Sequence, residues 1–242
     1  MSLPRLKSAL ARLPLKRWFF QGIGSLFLFS ILWVLVLRWL APPATLTMLS
    51  RRLSGFGPDS LHQPIGYRFV GIDEVAPAVP LALIAAEDQN FLHHHGFDFD
   101  AMYKAAQRNR TGKKLVGGST ISQQVAKNVF LWQGRSYVRK VAEAYFTFLI
   151  ELLWGKRRIM EIYLNVAETG PGIFGVEAAA HKYFKTSAAR LTRPQAALIA
   201  SVLPSPNRYS VRRPDGKMRR KAGRVQRGMR QLGGDKHLEG IR

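Results

Sequence analysis

From Trp18 to Leu37 the chain carries no charged residue, and the stretch is dominated by Phe, Leu, Ile and Val. About 20 such residues, each rising about 1.5 Å in a helix, span the hydrocarbon core of a bilayer. A cleaved signal peptide would have an apolar region of roughly 7–15 residues closed by an Ala-x-Ala-like site. This stretch is longer and no such site closes it, so residues 18–40 read as a retained transmembrane helix with Trp18, Trp33 and Trp39 as interfacial aromatics. Arg5, Lys7, Arg12, Lys16 and Arg17 sit on a basic tail, residues 1–17, which the positive-inside rule keeps in the cytoplasm with the rest of the chain exported. Arg38 dilutes that asymmetry without reversing it.

The 242 residues leave room for one globular domain with a real core, hence one active site. Against 15 Asp+Glu stand 37 Lys+Arg, a formal charge of +22, which calls for a polyanionic partner: nucleic acid, anionic lipid headgroups or a phosphate-bearing substrate. Cysteine is absent, which excludes disulfides, thiol nucleophiles and Cys-ligated zinc. Ala41-Pro42-Pro43 ends the membrane helix, and residues 41–72 read as an extended, membrane-proximal connector. Beyond it the fold class is mainly α. Apolar residues recur at three- and four-residue spacing in Val79 to Phe91, Ile121 to Val129, Val138 to Leu153, Ile159 to Leu164 and Ala196 to Leu203. The domain is placed at residues 73–210 and followed by a basic tail, residues 211–242, which reads equally as solvated, partly disordered chain or as a lipid-binding segment.

Three segments could carry chemistry. Glu87-Asp88 stands at the end of an apolar helix, where a carboxylate leaving apolar surroundings beside a second one gains a raised pKa suited to proton transfer. His93-His94-His95 and Asp98-Phe99-Asp100 nearby are weak metal signals, because consecutive imidazoles rarely share one ion. In Gly117-Gly118-Ser119-Thr120-Ile121-Ser122-Gln123-Gln124 the pair Thr120 and Gln123 fits a capping box, so a helix starts there with amides that would suit a phosphate-sized anion. Arg139 and Glu143 stand one turn apart on a third helix, with Arg135 and Lys140 beside them.

Taken together the segments resemble the biosynthetic peptidoglycan glycosyltransferase family, also found as the glycosyltransferase domain of bifunctional penicillin-binding proteins. Its pattern Glu-Asp-x-x-Phe…His-x-Gly-x-Asp matches Glu87, Asp88, Phe91, His94, Gly96 and Asp98. Gly-x-Ser-Thr-x-x-Gln-Gln matches Gly117, Ser119, Thr120, Gln123 and Gln124, with Lys127-Asn128 in register. Arg-Lys-x-x-Glu matches Arg139, Lys140 and Glu143, and Lys-x-x-Ile-x-Glu-x-Tyr-x-Asn matches Lys156, Ile159, Glu161, Tyr163 and Asn165. Ser122 stands where Thr is frequent, and Arg193-Pro194 replaces a more usual helix start. The transpeptidase signatures Ser-x-x-Lys and Lys-Thr-Gly are missing, as in a monofunctional form.

The resemblance implies a lysozyme-like α-helical domain on the periplasmic side of the bacterial inner membrane that polymerises lipid II into β-1,4 glycan strands and releases polyprenyl diphosphate. Carried over, Glu87 is the general base, and Lys127 and Arg135 contact the diphosphate with Arg139 and Lys140 adding to the field. Glu143 is the second essential carboxylate, and it either positions Lys127 or Arg135 or holds a divalent cation, Mg2+ or Mn2+. Ser119, Thr120, Gln123, Gln124, Asn128 and Asn165 line the sugar and phosphate subsites. No organic cofactor and no nucleic acid are expected, and the ligands of any metal are left open. The expected partners are lipid II and the growing glycan, anionic lipids, and cell-wall synthesis or division proteins. The rival is an anchored lysozyme-like hydrolase or lytic transglycosylase, which would not need the Lys127 and Arg139-Lys140 cluster.

Overall fold

The apolar stretch forms helix α1, Leu15–Trp39, in a computed structural model of the chain that describes residues 15–54, 65–112, 117–134 and 136–241. Its segment Arg17–Trp39 is long and apolar enough to cross a membrane, and the break before Pro42-Pro43 falls where the sequence puts it. Arg5, Lys7, Arg12 and Arg135, on which the sequence reading drew, lie outside the described residues.

Residues 41–242 form a second compact unit, mainly α. The connector is not simply extended. Leu46–Ser54 forms helix α2, opened by Thr45, whose hydroxyl accepts from Met48 N at 3.2 Å. Arg51 of α2 pairs with Glu168 at 2.9 Å, and Thr47 donates to the Asn128 carbonyl at 3.1 Å, so this helix is fastened to the domain.

Helix α3, Ala78–Glu87, is apolar on all sides and buries every residue from Ala78 to Ala85, as a central helix must. Pro80 lies in its first turn, where the missing N–H costs no helical hydrogen bond. Then come α4 (Phe99–Thr111), α5 (Ile121–Phe130), α6 (Tyr137–Leu153), α7 (Gly155–Val166), the short α8 (Val176–Ala179), α9 (Arg193–Val202) and α10 (Gly216–Gln231). Helices α9 and α10 cover α3, while α5 packs on α2, α6 and α7. A small sheet of order β1 (Gly66–Tyr67), β3 (Ile173–Phe174), β2 (Glu168–Gly170) pairs β1 with β3 in parallel and β2 with β3 antiparallel.

Helix α10 shows that the basic residues after Arg208 do not form a solvated tail. Met218, Ala222, Val225 and Met229, at helical spacing, turn inward, while the Lys and Arg side chains take the other face. Gly228 lets α10 close on α3, since a Cβ there would stand 3.3 Å from that of Ala85.

Candidate active site

Glu87 is the last residue of α3 and Asp88 its C-cap, so two carboxylates leave one buried helix side by side. Their surroundings give them opposite jobs. Asp88 accepts from the Ile121 amide at 2.9 Å and lies 3.0 and 3.1 Å from His94 Nε2. Gly96 N donates to His94 Nδ1 at 3.1 Å, which assigns the ring proton to Nε2, facing Asp88. Asp88 therefore ties the end of α3 to the His94–Gly96 turn and to the first amide of α5. Gly96 has φ of 88°, and a Cβ there would meet Thr147 at 2.8 Å, which explains why glycine occupies that turn.

Glu87 is left for chemistry. Its Oε2 accepts from Gln124 Nε2 at 3.0 Å, whereas Oε1 is buried without a hydrogen-bond partner among the described residues. Burial pushes its carboxyl above the ordinary carboxylate range, opposed by Gln124 and by the charges of Lys221 and Lys127, with Asp88 adding to the rise. A buried carboxylate with one lone-pair edge free and an elevated proton affinity is poised to accept a proton near neutral pH.

Glu143, on α6, is buried with both oxygens taken, Oε2 by Arg139 at 2.9 Å and Oε1 by Lys140 at 2.5 Å. Lys127 lies one turn beyond Gln124 on α5. Burial lowers its pKa, Glu143 raises it, Arg139 and Lys140 lower it, and Glu87 raises it. The ammonium thus feels both Glu143 and Glu87, in a cationic patch whose excess charge is offset by one buried anion.

The remaining expected residues divide. Lys127, Asn128 and Gln124 line a cavity of about 200 Å³ with Tyr163. Ser119, Gln123 and Lys140 border a shallower one of about 240 Å³ against α4. Thr120 and Gln123 are buried and spent on the capping box, in which Thr120 N donates to Gln123 Oε1 at 3.0 Å and Gln123 N to Thr120 Oγ1 at 3.2 Å. The anion expected at this helix start is the protein's own: Asp88 holds the Ile121 amide. Asn165, expected in a substrate subsite, is instead fully buried. Its amide accepts from Val70 N at 2.9 Å and donates to the carbonyls of Val70 and Glu161, both at 2.8 Å, so it braces the chain before α3 against α7.

Among the described residues the donors do not make a divalent-cation site. Glu143 is saturated by Arg139 and Lys140, His94 is bound to Asp88, and Asp98 caps α4 through Ala101 N at 2.8 Å. Among the described residues no group of three or more His, Asp or Glu is placed to hold a metal.

A basic cleft with one residue acting on Glu87 escaped the sequence reading. Helix α10 and the turn after α9 enclose a cleft of about 1100 Å³ edged by Arg208, Lys217, Arg220, Lys221, Arg224 and Arg227. Lys221 is the basic residue whose field reaches Glu87 most strongly. Apolar spacing at 218, 222, 225 and 229 was the available signal for a packed helix here.

Fold and site define a helical enzyme domain with a buried carboxyl group of raised proton affinity facing a cationic field. The chain belongs to the transglycosylase family, whose described domain, "Transglycosylase", matches residues 60–230. It is 50% identical over 210 residues to a biosynthetic peptidoglycan transglycosylase of Xanthomonas campestris pv. campestris (strain B100), covering 87% of this chain and 85% of that protein. Proteins of the same description from Xylella fastidiosa (strain M23) and Xanthomonas axonopodis pv. citri (strain 306) are 49% and 47% identical, over 88% and 93% of this chain and 87% and 92% of theirs.

Proposed function

We propose that the protein polymerises lipid-linked disaccharide-pentapeptide, lipid II, into β-1,4 glycan strands for the bacterial cell wall. The observation that carries the reading is the carboxyl of Glu87, with Oε2 held by Gln124 and Oε1 buried without a hydrogen-bond partner among the described residues. In the reaction Oε1 takes the proton of the acceptor's 4-hydroxyl while that oxygen attacks the donor's anomeric carbon from the face opposite the diphosphate. The bond to the diphosphate breaks with its electron pair, and the configuration inverts. Negative charge grows on the departing diphosphate, where preorganised cations lower the barrier most. Lys127, Arg139 and Lys140 supply that field, and Glu143 holds the latter two in place. A glycan hydrolase would use a raised carboxyl as an acid and gains nothing from these cations.

Location fits the substrate. Helix α1 can anchor the chain, and the basic tail before it orients the domain toward the periplasmic side of the inner membrane. An anchored enzyme meets a lipid-borne substrate in two dimensions, which raises the effective concentration of each for the other. Within residues 41–242, the large apolar side chains left exposed all lie between Leu46 and Leu152 among the described residues, on α2, α4, α6 and at Trp132. That confinement suits a face lying on the bilayer.

The test is polymerisation of lipid II by purified, detergent-solubilised protein, followed by product length on a gel. Wild type should lengthen glycan, and Glu87→Gln should lose about 10²–10⁴-fold in rate while folding normally. Cleavage of preformed glycan without any polymer would replace this reading with the hydrolase.

A further inference from the structure

The hydrogen bond that holds Glu87 is itself held. While Gln124 Nε2 donates to Glu87 Oε2, its Oε1 accepts the hydroxyl of Tyr163, on α7, at 3.1 Å. Tyr163 is fully buried, and burial keeps its phenol protonated well above the usual range. Turned over, the Gln124 amide would set its oxygen against a carboxylate and take the acceptor away from the hydroxyl. The sequence offers Tyr163 only as one member of a motif, with no partner.

We propose that Tyr163 is a positioning residue for Glu87. Acting through Gln124, it fixes which carboxylate oxygen is hydrogen-bonded and which stays open to the acceptor's proton. The relay runs from α7 through α5 to α3, so the base takes its orientation from two helices that contribute no reacting atom. An aimed donor favours the charged carboxylate, so losing the relay raises the pH at which Glu87 becomes a competent base. The other groups acting on Glu87 are Asp88 beside it, Lys127 from α5 and Lys221 from α10, and none of them touches the relay's amide in the bonds described. The inference rests on Glu87 being the base of the proposed polymerisation.

Tyr163→Phe removes one oxygen and keeps the ring that fills the core. With the full chain in detergent and lipid II as substrate, the acid limb of kcat/KM against pH should move up by about half a pH unit, roughly a threefold loss on the acid side. KM should be unchanged, and the alkaline plateau should return to the wild-type rate. Gln124→Leu should shift the limb at least as far, and Tyr163→Phe added to it should shift it no further, because Tyr163 acts only through that amide. A readout without turnover is the pH midpoint for carbodiimide labelling of Glu87, followed by mass spectrometry, which should rise in both variants. An unmoved limb and midpoint, a loss equal at all pH values, or additive effects of the two substitutions would overturn the relay. If wild type makes no polymer yet the labelling midpoint rises in Tyr163→Phe, the relay stands and the polymerase reading falls.

Discussion

Helices α2, α4 and α6 leave large apolar side chains in the open, with Tyr137 93% and Leu53 76% exposed, whereas from Leu153 to Ile241 no large hydrophobic is exposed among the described residues. The second stretch follows the ordinary rule of a soluble domain, with apolar spacing turned inward and charge outward, even in the Arg-rich α10. The first breaks that rule on α2, α4 and α6. Helix α3, though early in the chain, packs with the second stretch under α9 and α10. Helix α5 packs on both regions, on α2 and α6 and also on α7, and the Glu87–Gln124 hydrogen bond ties it to α3. The comparison teaches a division of labour: Glu87 comes from the covered side, Arg139 and Lys140 from a helix with a greasy outer face, and Lys127 from the helix that joins them.

The harshest way to break the comparison is through Asn165. If the covered region bears the stability, Asn165→Ala, which orphans the N–H and C=O of Val70, should cost about 3 kcal/mol and lower the thermal midpoint by about 6–12 °C. A change below about 2 °C by circular dichroism would remove that role. Next in size is the contrast of faces. Because the chain has no cysteine, single Val141→Cys and Lys182→Cys variants can each carry one spin label in lipid vesicles. The label at 141 should be reached severalfold better by a lipid-soluble relaxant, and the label at 182 by a water-soluble one. Equal accessibilities would sink the idea that the greasy face lies on lipid.

The smallest effect sharpens the account of Glu87. Its folded-state pKa is raised, so folding favours its neutral form, and its contribution to stability is fullest below the unfolded pKa and lost as pH rises through the folded value. Glu87→Gln should therefore match wild type in acid and melt a few degrees higher near neutral pH. A difference that does not change with pH would assign the gain to something other than burial of the charge.

Much of this was legible in the sequence, and the failures have physical causes. Helices α1, α5 and α6 announce themselves by an uncharged run, a capping box and sustained periodicity. Glu87, Lys127 and the Arg139–Glu143 pair follow from motifs whose members sit within a turn or two of each other. Helix α10 was harder, since its four inward residues are scattered among many basic ones, and α2 is only nine residues long beside two prolines. Asp88 and Asn165 could not be assigned from the sequence because their partners Ile121 and Val70 lie 33 and 95 residues away, and a motif reports residue type without reporting what the side chain touches. The same limit hid the Tyr163 hydroxyl, 39 residues from the amide it fixes.

The closing of α10 on Ala85 through Gly228 also sets a schedule. The chain is made from its N-terminus, so α3 and Glu87 exist long before α10 does, and until that last helix arrives the flank of α3 that it covers lies open and Lys221 is missing. Without α10 the cleft along α3 has only one wall, and the burial and the Lys221 charge that act on Glu87 in the finished domain are incomplete. The surroundings of Glu87 are thus finished by the last long helix to be made.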